Sequence, residues 1–137
     1  MNSRSIAILA SFLVFTPALL SAQTIRGADE DLGARLYFNH CAACHGQDGE
    51  GGGPVAATMH IAMPNLRSLA MRNDGRFPGE AVTSFIDGRE TPAAHGERQM
   101  PIWGDIFRGA EQGTAERTVR RRIDAVVNFV SMLQYRQ

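Results

Sequence analysis

The chain has 137 residues, of which 44% are hydrophobic, and its 14 basic and 14 acidic side chains leave a formal net charge of +0 at pH 7. This length fits one small domain rather than several. The balanced charge gives no support for a nucleic-acid-binding protein, and every basic residue is an arginine.

The N-terminal segment predicts a secretory signal peptide. Arg4 supplies a positive charge, an apolar run follows over residues 6–20, and a small-residue cleavage site ends at Ala22. The apolar run is shorter than the roughly 20 residues that span a bilayer. We therefore expect residues 1–22 to be a removable signal peptide and residues 23–137 to form the exported domain, with an uncleaved membrane anchor as the alternative.

A first helix is expected directly before the two cysteines. Asp29 is a suitable N-cap, and the helix should run to about His40. Three apolar residues share one face of it, namely Leu32, Leu36 and Tyr37. Gly33 costs a helix about 1 kcal/mol relative to Ala. We expect it where another element must approach the helix backbone closely, the alternative being a tolerated surface glycine.

The stretch that follows, Cys41-Ala42-Ala43-Cys44-His45, has the C-x-x-C-H spacing of c-type haem attachment. Two intervening residues set the thiols at the separation of the two vinyl groups that they would bond. The imidazole of His45 then lies where it can bind the iron as the proximal ligand. Since Cys41 and Cys44 are the only cysteines in the chain, the pattern predicts one covalently bound haem.

Three other roles of these two cysteines are alternatives to haem attachment. A structural zinc site needs two further ligands in a second motif, and the sequence offers none. A thioredoxin-like redox pair lies between a strand and a helix, whereas Gly46 and further glycines follow this motif. A plain disulfide is possible in an exported protein, but it leaves His45 without a role.

The chain after the motif is predicted to be a loop followed by short helices. Residues 46–54 are mostly glycines and acidic residues, and no lysine follows to make a phosphate-binding loop. Short turns or helices are expected over residues 55–61 and 65–70. A clearer helix should span Glu80 to Asp87, with Gly88 as its stop. Its apolar face is expected to comprise Val82, Phe85 and Ile86.

A long final helix is predicted from a cap at Thr114 to about Tyr135. Its apolar residues recur at helical spacing: Val119, Ile123, Val126, Val127, Val130 and Leu133. Residues 120–122 are three arginines off this stripe, which favours a solvated face over a docking patch. No stretch alternates at period two, so the sequence predicts an all-α domain.

The ligand on the second axial position of the iron decides its chemistry. The candidates are Met59, Met63, Met71, Met100, His60 and His95. Met100 is the expected ligand, because Pro101 stiffens its loop and because Ile102 and Trp103 could seal the site. Met63 also precedes a proline, but it lies soon after His45, in a segment expected to wall the proximal side. For the remaining methionines, core packing is the more common role.

These motifs together resemble a class I c-type cytochrome, a small bacterial protein with one haem. The resemblance covers residues 29–135. It rests on GARLYFNHCAACHGQDGEGGGP as first helix and haem loop, MPNLRSLA as a wall segment, FPGEAVTSFIDGR as the third helix, RQMPIWGDIF as the methionine loop, and DAVVNFVSMLQ as the last helix. It implies the cytochrome c fold, with three to five helices around one haem and with the first and last helices crossing at Gly33 and Phe129.

The resemblance also implies roles for individual residues. Cys41 and Cys44 attach the haem, and His45 and Met100 are its proximal and distal ligands. The carbonyl of Pro64 accepts the Nδ1–H of His45, a contact that orients the imidazole ring. Trp103 is expected to contact the cofactor.

The function implied is that of a periplasmic electron carrier and not of an enzyme. Its partners would be redox proteins, such as a dehydrogenase, an oxidase or another cytochrome, with no small-molecule substrate and no nucleic acid. One alternative is the cytochrome subunit of a dehydrogenase or oxidase complex. Another is a haem enzyme or gas-binding protein, which needs an open sixth position. Because the chain has no lysine, docking through a ring of lysines is not available to it.

Overall fold

The computed structural model describes residues 18–59, 62–89, 100–109 and 116–136, with side chains described from residue 27 onward. These residues form six α-helices, numbered in chain order: α1 Ala18–His40, α2 Ala42–His45, α3 Pro54–Met59, α4 Gly79–Asp87, α5 Trp103–Arg108 and α6 Glu116–Met132. Two 3-10 turns, Leu66–Ser68 and Met71–Asn73, lie between α3 and α4. The described residues contain no strand, which confirms the all-α prediction. The very short α2, α3 and α5 bring the number of helices above the three to five expected.

The first helix begins earlier than predicted. It starts at Ala18, so the prediction that Asp29 caps its N-terminus is wrong. No proline interrupts residues 18–40, and several residues before Asp29 are good helix formers, so the helix has no reason to begin there. The carboxylate of Asp29 instead accepts hydrogen bonds from Arg121 of α6 at 3.1 and 2.9 Å.

Helices α1 and α6 cross at Gly33. A Cβ atom on this glycine would overlap the carbonyl oxygen of Ala125 and would lie 3.0 Å from the Cβ of Phe129. The missing side chain therefore permits the close approach that the sequence predicted. Further along α1, Tyr37 is fully buried, and its ring centroid lies 5.1 Å from that of Phe129.

Helix α6 carries most of the core on the predicted stripe. Five of its valine and isoleucine residues are at most 7% exposed: Val119, Ile123, Val126, Val127 and Val130. The helix ends at Met132 and not near Tyr135, because the following residues turn to bond the segment after Pro64. Gln134 Nε2 donates to the carbonyl of Leu66 at 2.8 Å. The predicted cap, Thr114, lies outside the described residues.

The three consecutive arginines of α6 do not all face solvent. Arg120 and Arg121 are exposed, as expected. Arg122 is half-buried and donates to the carbonyl of Phe107 at 2.6 Å. It therefore joins α6 to the end of α5, where a solvated side chain was expected.

Helix α4 has the predicted stop but a narrower apolar face. Gly88 ends it in the left-handed conformation, with φ 69°, which glycine adopts without steric cost. Ile86 is buried, whereas Phe85 is 56% exposed. The prediction that Phe85 packs inward with Ile86 is therefore wrong, because only one edge of this short helix meets α5 and α6.

The core lies between α1, α4, α5 and α6. Its buried members come from every one of these helices and from α2: Tyr37, Ala42, Ile86, Trp103, Phe107 and the α6 stripe. Cys41 and Met100 pack against this cluster from its margin. Among the described residues, no helix combines the length and hydrophobicity of a membrane span.

Candidate haem site

The two cysteines lie on one turn of helix directly after α1. Cys41 closes the last turn of α1 by donating from its backbone N–H to the carbonyl of Tyr37 at 2.8 Å. The backbone N–H groups of Cys44 and His45 then both bond the carbonyl of Cys41, at 3.1 and 2.9 Å. Residues three apart share a face of a helix, so both thiols emerge on the same side. Both are half-buried and free of disulfides.

The protonation of Cys41 argues against a role as a redox nucleophile. Burial, followed by the nearby Cys44, raises the pKa of the Cys41 thiol to about 12. Reactive cysteines act as thiolates, and their sites lower the thiol pKa. The environment of Cys41 does the opposite, which weakens the thioredoxin-like interpretation. Among the described residues, no group of three or more His, Cys, Asp or Glu side chains could hold a metal ion.

His45 presents a neutral imidazole with one nitrogen lacking a partner. Burial lowers the pKa of His45, while the backbone carbonyl of Pro64 acts in the opposite direction and more weakly. The Nδ1 atom is buried and makes no hydrogen bond of ordinary geometry. Pro64 is thus close enough to influence the ring without being well aligned to it. A neutral imidazole is the form that binds a metal, so the residue suits the proximal position.

The loop over residues 46–53 folds back onto the motif. The backbone N–H of Gly51 donates to the carbonyl of His45 at 2.8 Å, and that of Gly53 donates to the carbonyl of Cys44 at 3.1 Å. A Cβ atom on Gly53 would overlap the carbonyl of Ala43. Glycine is therefore required where the loop passes against the helical turn. This tight wrapping fixes the backbone around both cysteines.

Tyr37 secures the same loop from the core side. Its hydroxyl donates to the carbonyl of Gly46 at 2.7 Å, and burial raises the pKa of this phenol to about 12. From the sequence, Tyr37 was expected only as an apolar residue on one helix face. Its hydrogen bond holds the backbone of Gly46, the residue directly after His45, in place.

An ionic clamp, formed by Glu50, Arg67 and Tyr135, joins this loop to the C-terminal end of the chain. Glu50 Oε1 accepts from Arg67 Nη1 at 2.9 Å and from the Tyr135 hydroxyl at 2.8 Å. Arg67 Nε also donates to the carbonyl of Leu133 at 3.1 Å. Sequence reasoning missed this clamp. Its only signal was an acidic residue in a glycine-rich loop, which does not identify a partner.

At the α5 side of the core, Met100 lies just before the helix and Trp103 is its first residue. Met100 is half-buried and Trp103 is 9% exposed. The Trp103 ring lies 5.3 Å from the ring of His40, the residue directly before Cys41, and 5.6 Å from that of Phe107. Ile102, expected to help seal the site, is 39% exposed. The core on this side is thus closed by Trp103 and Phe107.

The other candidate axial ligands occupy different environments. Met59 and Met71 are 49% and 62% exposed. Met63 is half-buried beside Gly51, whose backbone bonds His45, so it lies on the His45 side as expected. His60 and His95 lie outside the described residues.

The donor set agrees with a haem bound by this turn. Two free thiols share one face, and the neutral imidazole of His45 follows them. Its Nδ1 lies near the Pro64 carbonyl, which would leave Nε2 as the nitrogen for the iron. A glycine-lined loop encloses the turn, and an apolar core adjoins it. Apolar surroundings and a nitrogen ligand are what a haem iron requires of its site.

Comparison with known proteins agrees with this geometry. The model of the family described as Cytochrome c matches residues 30–134, which is most of the chain. The match spans the cysteine motif, the wall segment and the methionine loop. No solved structure matches the chain.

Proposed function

The chain belongs to the cytochrome c family and carries a covalently attached haem c, and on this basis we propose that it is a periplasmic electron-transfer protein with His45 and Met100 as axial ligands. The haem supplies one-electron oxidation and reduction of its iron. The protein's part is to attach the group, to supply both ligands and to exclude water.

The observation that carries the ligand proposal is the burial of the candidate side chains. Met100 packs against the same hydrophobic core as Cys41, whereas Met59 and Met71 are about half exposed or more. Met63 is near Gly51 on the His45 side. A thioether and an imidazole from opposite sides keep the iron six-coordinate in both oxidation states, and a thioether raises the reduction potential.

Fixed ligands favour an electron carrier over an enzyme. A haem enzyme or a gas-binding protein needs an open sixth position. Trp103 and Phe107 are buried and pack on the ring of His40, the residue before Cys41, which supports a closed site over an open one. We therefore propose that the protein exchanges electrons with other redox proteins and turns over no substrate of its own.

Two measurements on the purified, exported holoprotein test this proposal. Absorption spectra with and without reductant should show a low-spin, six-coordinate haem in both states, and a redox titration should fit one electron. A high-spin, five-coordinate spectrum would favour a haem enzyme instead. N-terminal sequencing of protein from the periplasmic fraction should begin at Gln23. Recovery from the cytoplasm, or from the membrane with residue 1 retained, would overturn the localisation or the cleavage site.

A further inference from the structure

One guanidinium joins the ends of two helices next to the methionine loop. Arg89 donates through Nε and Nη2 to the two carboxylate oxygens of Asp87, the second at 2.7 Å. Through Nη1 and Nη2 it also donates to both oxygens of Glu116, at 3.0 and 2.7 Å. Asp87 is the last residue of α4, and Glu116 is the first of α6. The side chains of Arg89 and Asp87 are 19% and 26% exposed, so their contacts are partly shielded from water, whereas Glu116 is 53% exposed.

The start of α5 packs directly on this ion pair. A Cβ atom on Gly104 would overlap both Asp87 Oδ1 and Arg89 Nε, and would lie 2.7 Å from Arg89 Cδ. Gly104 is a buried residue of α5 and its backbone is not left-handed. A Cβ at residue 104 would force the side chains of Asp87 and Arg89 to move or α5 to shift. The Asp87–Arg89 pair therefore packs directly against the start of α5 and constrains its position relative to α4 and α6.

The position of α5 limits how far Met100 can lie from Gly104. Gly104 follows Met100 by four residues, and four residues span at most about 14 Å. Trp103, between them, is buried against His40 and cannot shift without opening the core. A displacement of α5 away from Arg89 would therefore be transmitted to Met100.

We propose that Arg89 is a positioning residue for Met100, holding α5 so that the Met100 sulfur stays on the iron. This inference rests on the proposed role of Met100 as the sixth ligand. Arg89 acts through its contact with Gly104 at the start of α5. Charge-assisted, bidentate hydrogen bonds to carboxylates are well suited to fix such a geometry.

Arg108 provides a matched control for Arg89. It also reaches Glu116, at 3.6 Å, but its side chain is 49% exposed. It is the last residue of α5, away from the Gly104 contact. Removing Arg108 changes the charge near Glu116 by the same amount as removing Arg89, while the contact between Arg89 and Gly104 is left in place.

The test is cyanide binding to the oxidised holoprotein, with the iron–thioether band as a second readout. Cyanide binds only when the Met100 sulfur leaves the iron, so its apparent affinity rises with the fraction of protein in that state. We expect Arg89→Gln and Gly104→Ala each to bind cyanide about tenfold more tightly than the unsubstituted protein. A tenfold change corresponds to a loss of about 1.4 kcal/mol in the stability of the Met100-bound state relative to the state in which the sulfur has left the iron. Arg108→Gln should differ from the unsubstituted protein by less than about twofold, since exposed pairs contribute little.

The outcomes separate this inference from the proposed ligation. If the unsubstituted protein lacks the thioether band, both the ligation by Met100 and the inference are overturned. If the band is present, and Arg89→Gln and Gly104→Ala lower the thermal midpoint without changing cyanide affinity, Arg89 is only structural and the inference alone is overturned. Should Arg89→Gln fail to yield holoprotein, Glu116→Ala removes two of the four hydrogen bonds of Arg89, and the same changes in cyanide affinity are expected of it.

Discussion

Arg67 lies over the ring of Tyr135, with its guanidinium carbon 4.5 Å from the ring centroid, and both side chains bond the same oxygen of Glu50. The two residues are also joined through their backbones, where the N–H of Tyr135 donates to the carbonyl of Arg67 at 3.0 Å. The loop over residues 46–53, the segment after Pro64 and the end of the chain are therefore held together close to His45.

This ionic clamp should contribute measurably to stability. The side chains of Arg67 and Glu50 are 33% and 42% exposed, so solvent screens the pair. We expect Tyr135→Phe and Arg67→Ala each to lower the free energy of unfolding by about 0.5–1 kcal/mol, as measured by chemical denaturation of the holoprotein. The exposed Arg76 is the control, and Arg76→Ala should have no effect. A double-mutant cycle that shows no coupling between residues 67 and 135 would contradict the clamp.

The crossing of α1 and α6 should not tolerate a side chain at Gly33. Val at this position would overlap the carbonyl of Ala125, and such overpacking typically costs about 1–3 kcal/mol. Gly27 lies in the same helix, with nothing within 4 Å of the site of its missing Cβ. We expect Gly33→Val to lower the denaturation midpoint strongly and Gly27→Val to lower it little. Equal midpoints for the two variants would place the crossing elsewhere.

The Asp87–Arg89 pair should make stability depend on pH in the acid range. The hydrogen bond that Asp87 accepts from Arg89 holds the pKa of Asp87 below its usual value, and the positive charges of Arg89 and Arg108 act in the same direction. Burial of Asp87 acts against this lowering. Glu116, on the other side of Arg89, also titrates in the acid range. The Arg89 guanidinium lowers the pKa of Glu116 as well. A lowered pKa in the folded state means that the contribution of Asp87 is fully present above the unfolded pKa, about 3.9. That contribution is lost as the pH falls through the folded value.

Comparison of thermal unfolding midpoints at several pH values tests whether the stabilisation by Asp87 is lost as the pH falls. Asp87→Asn should destabilise the holoprotein at pH 7. The difference from the unsubstituted protein should shrink as the pH falls from about 4, near the unfolded pKa of Asp87, through its lower pKa in the folded state. A difference that stays constant down to pH 2 would show that Asp87 contributes nothing through its charge.

The haem should remain on the chain when the protein is unfolded. Thioether bonds at Cys41 and Cys44 survive acid and organic solvent, so the intact mass should equal the polypeptide plus one haem. Cys41→Ala or Cys44→Ala should sharply lower the yield of holoprotein, since the haem extends a small core. Free haem in the organic extract of the unsubstituted protein would contradict covalent attachment.

Local patterns in the sequence were enough to predict a close approach at Gly33 and the buried stripe of α6, whereas the crossing of Gly33 with Phe129 was implied by the family resemblance. Both local predictions depend on residues a few positions apart in one helix. The start of α1 was missed because Asp29 looks the same whether it caps a helix or lies inside one. Its actual partner, Arg121, is distant in the chain.

The contacts around Glu50 and Arg89 could not be predicted for the same reason. Glu50 is 17 residues from Arg67 and 85 from Tyr135, and Arg89 is 27 from Glu116. With 14 basic and 14 acidic residues in the chain, sequence alone offers many equivalent pairings. Only the fold selects among them. The assignment of Met100 to the iron stays a prediction, supported by its burial beside the core.

The most direct test of the account is the long-wavelength absorption band of iron–thioether bonding in the oxidised protein. The unsubstituted protein should show this weak band. Met100→Ala should abolish it, lower the reduction potential and open the iron to imidazole or cyanide, because the thioether ligand is gone.

Met63→Ala and Met59→Ala are the matched controls, and both should retain the band and the potential of the unsubstituted protein. A native spectrum and potential in Met100→Ala would contradict the account. Loss of the band in Met63→Ala instead would move the sixth ligand to Met63.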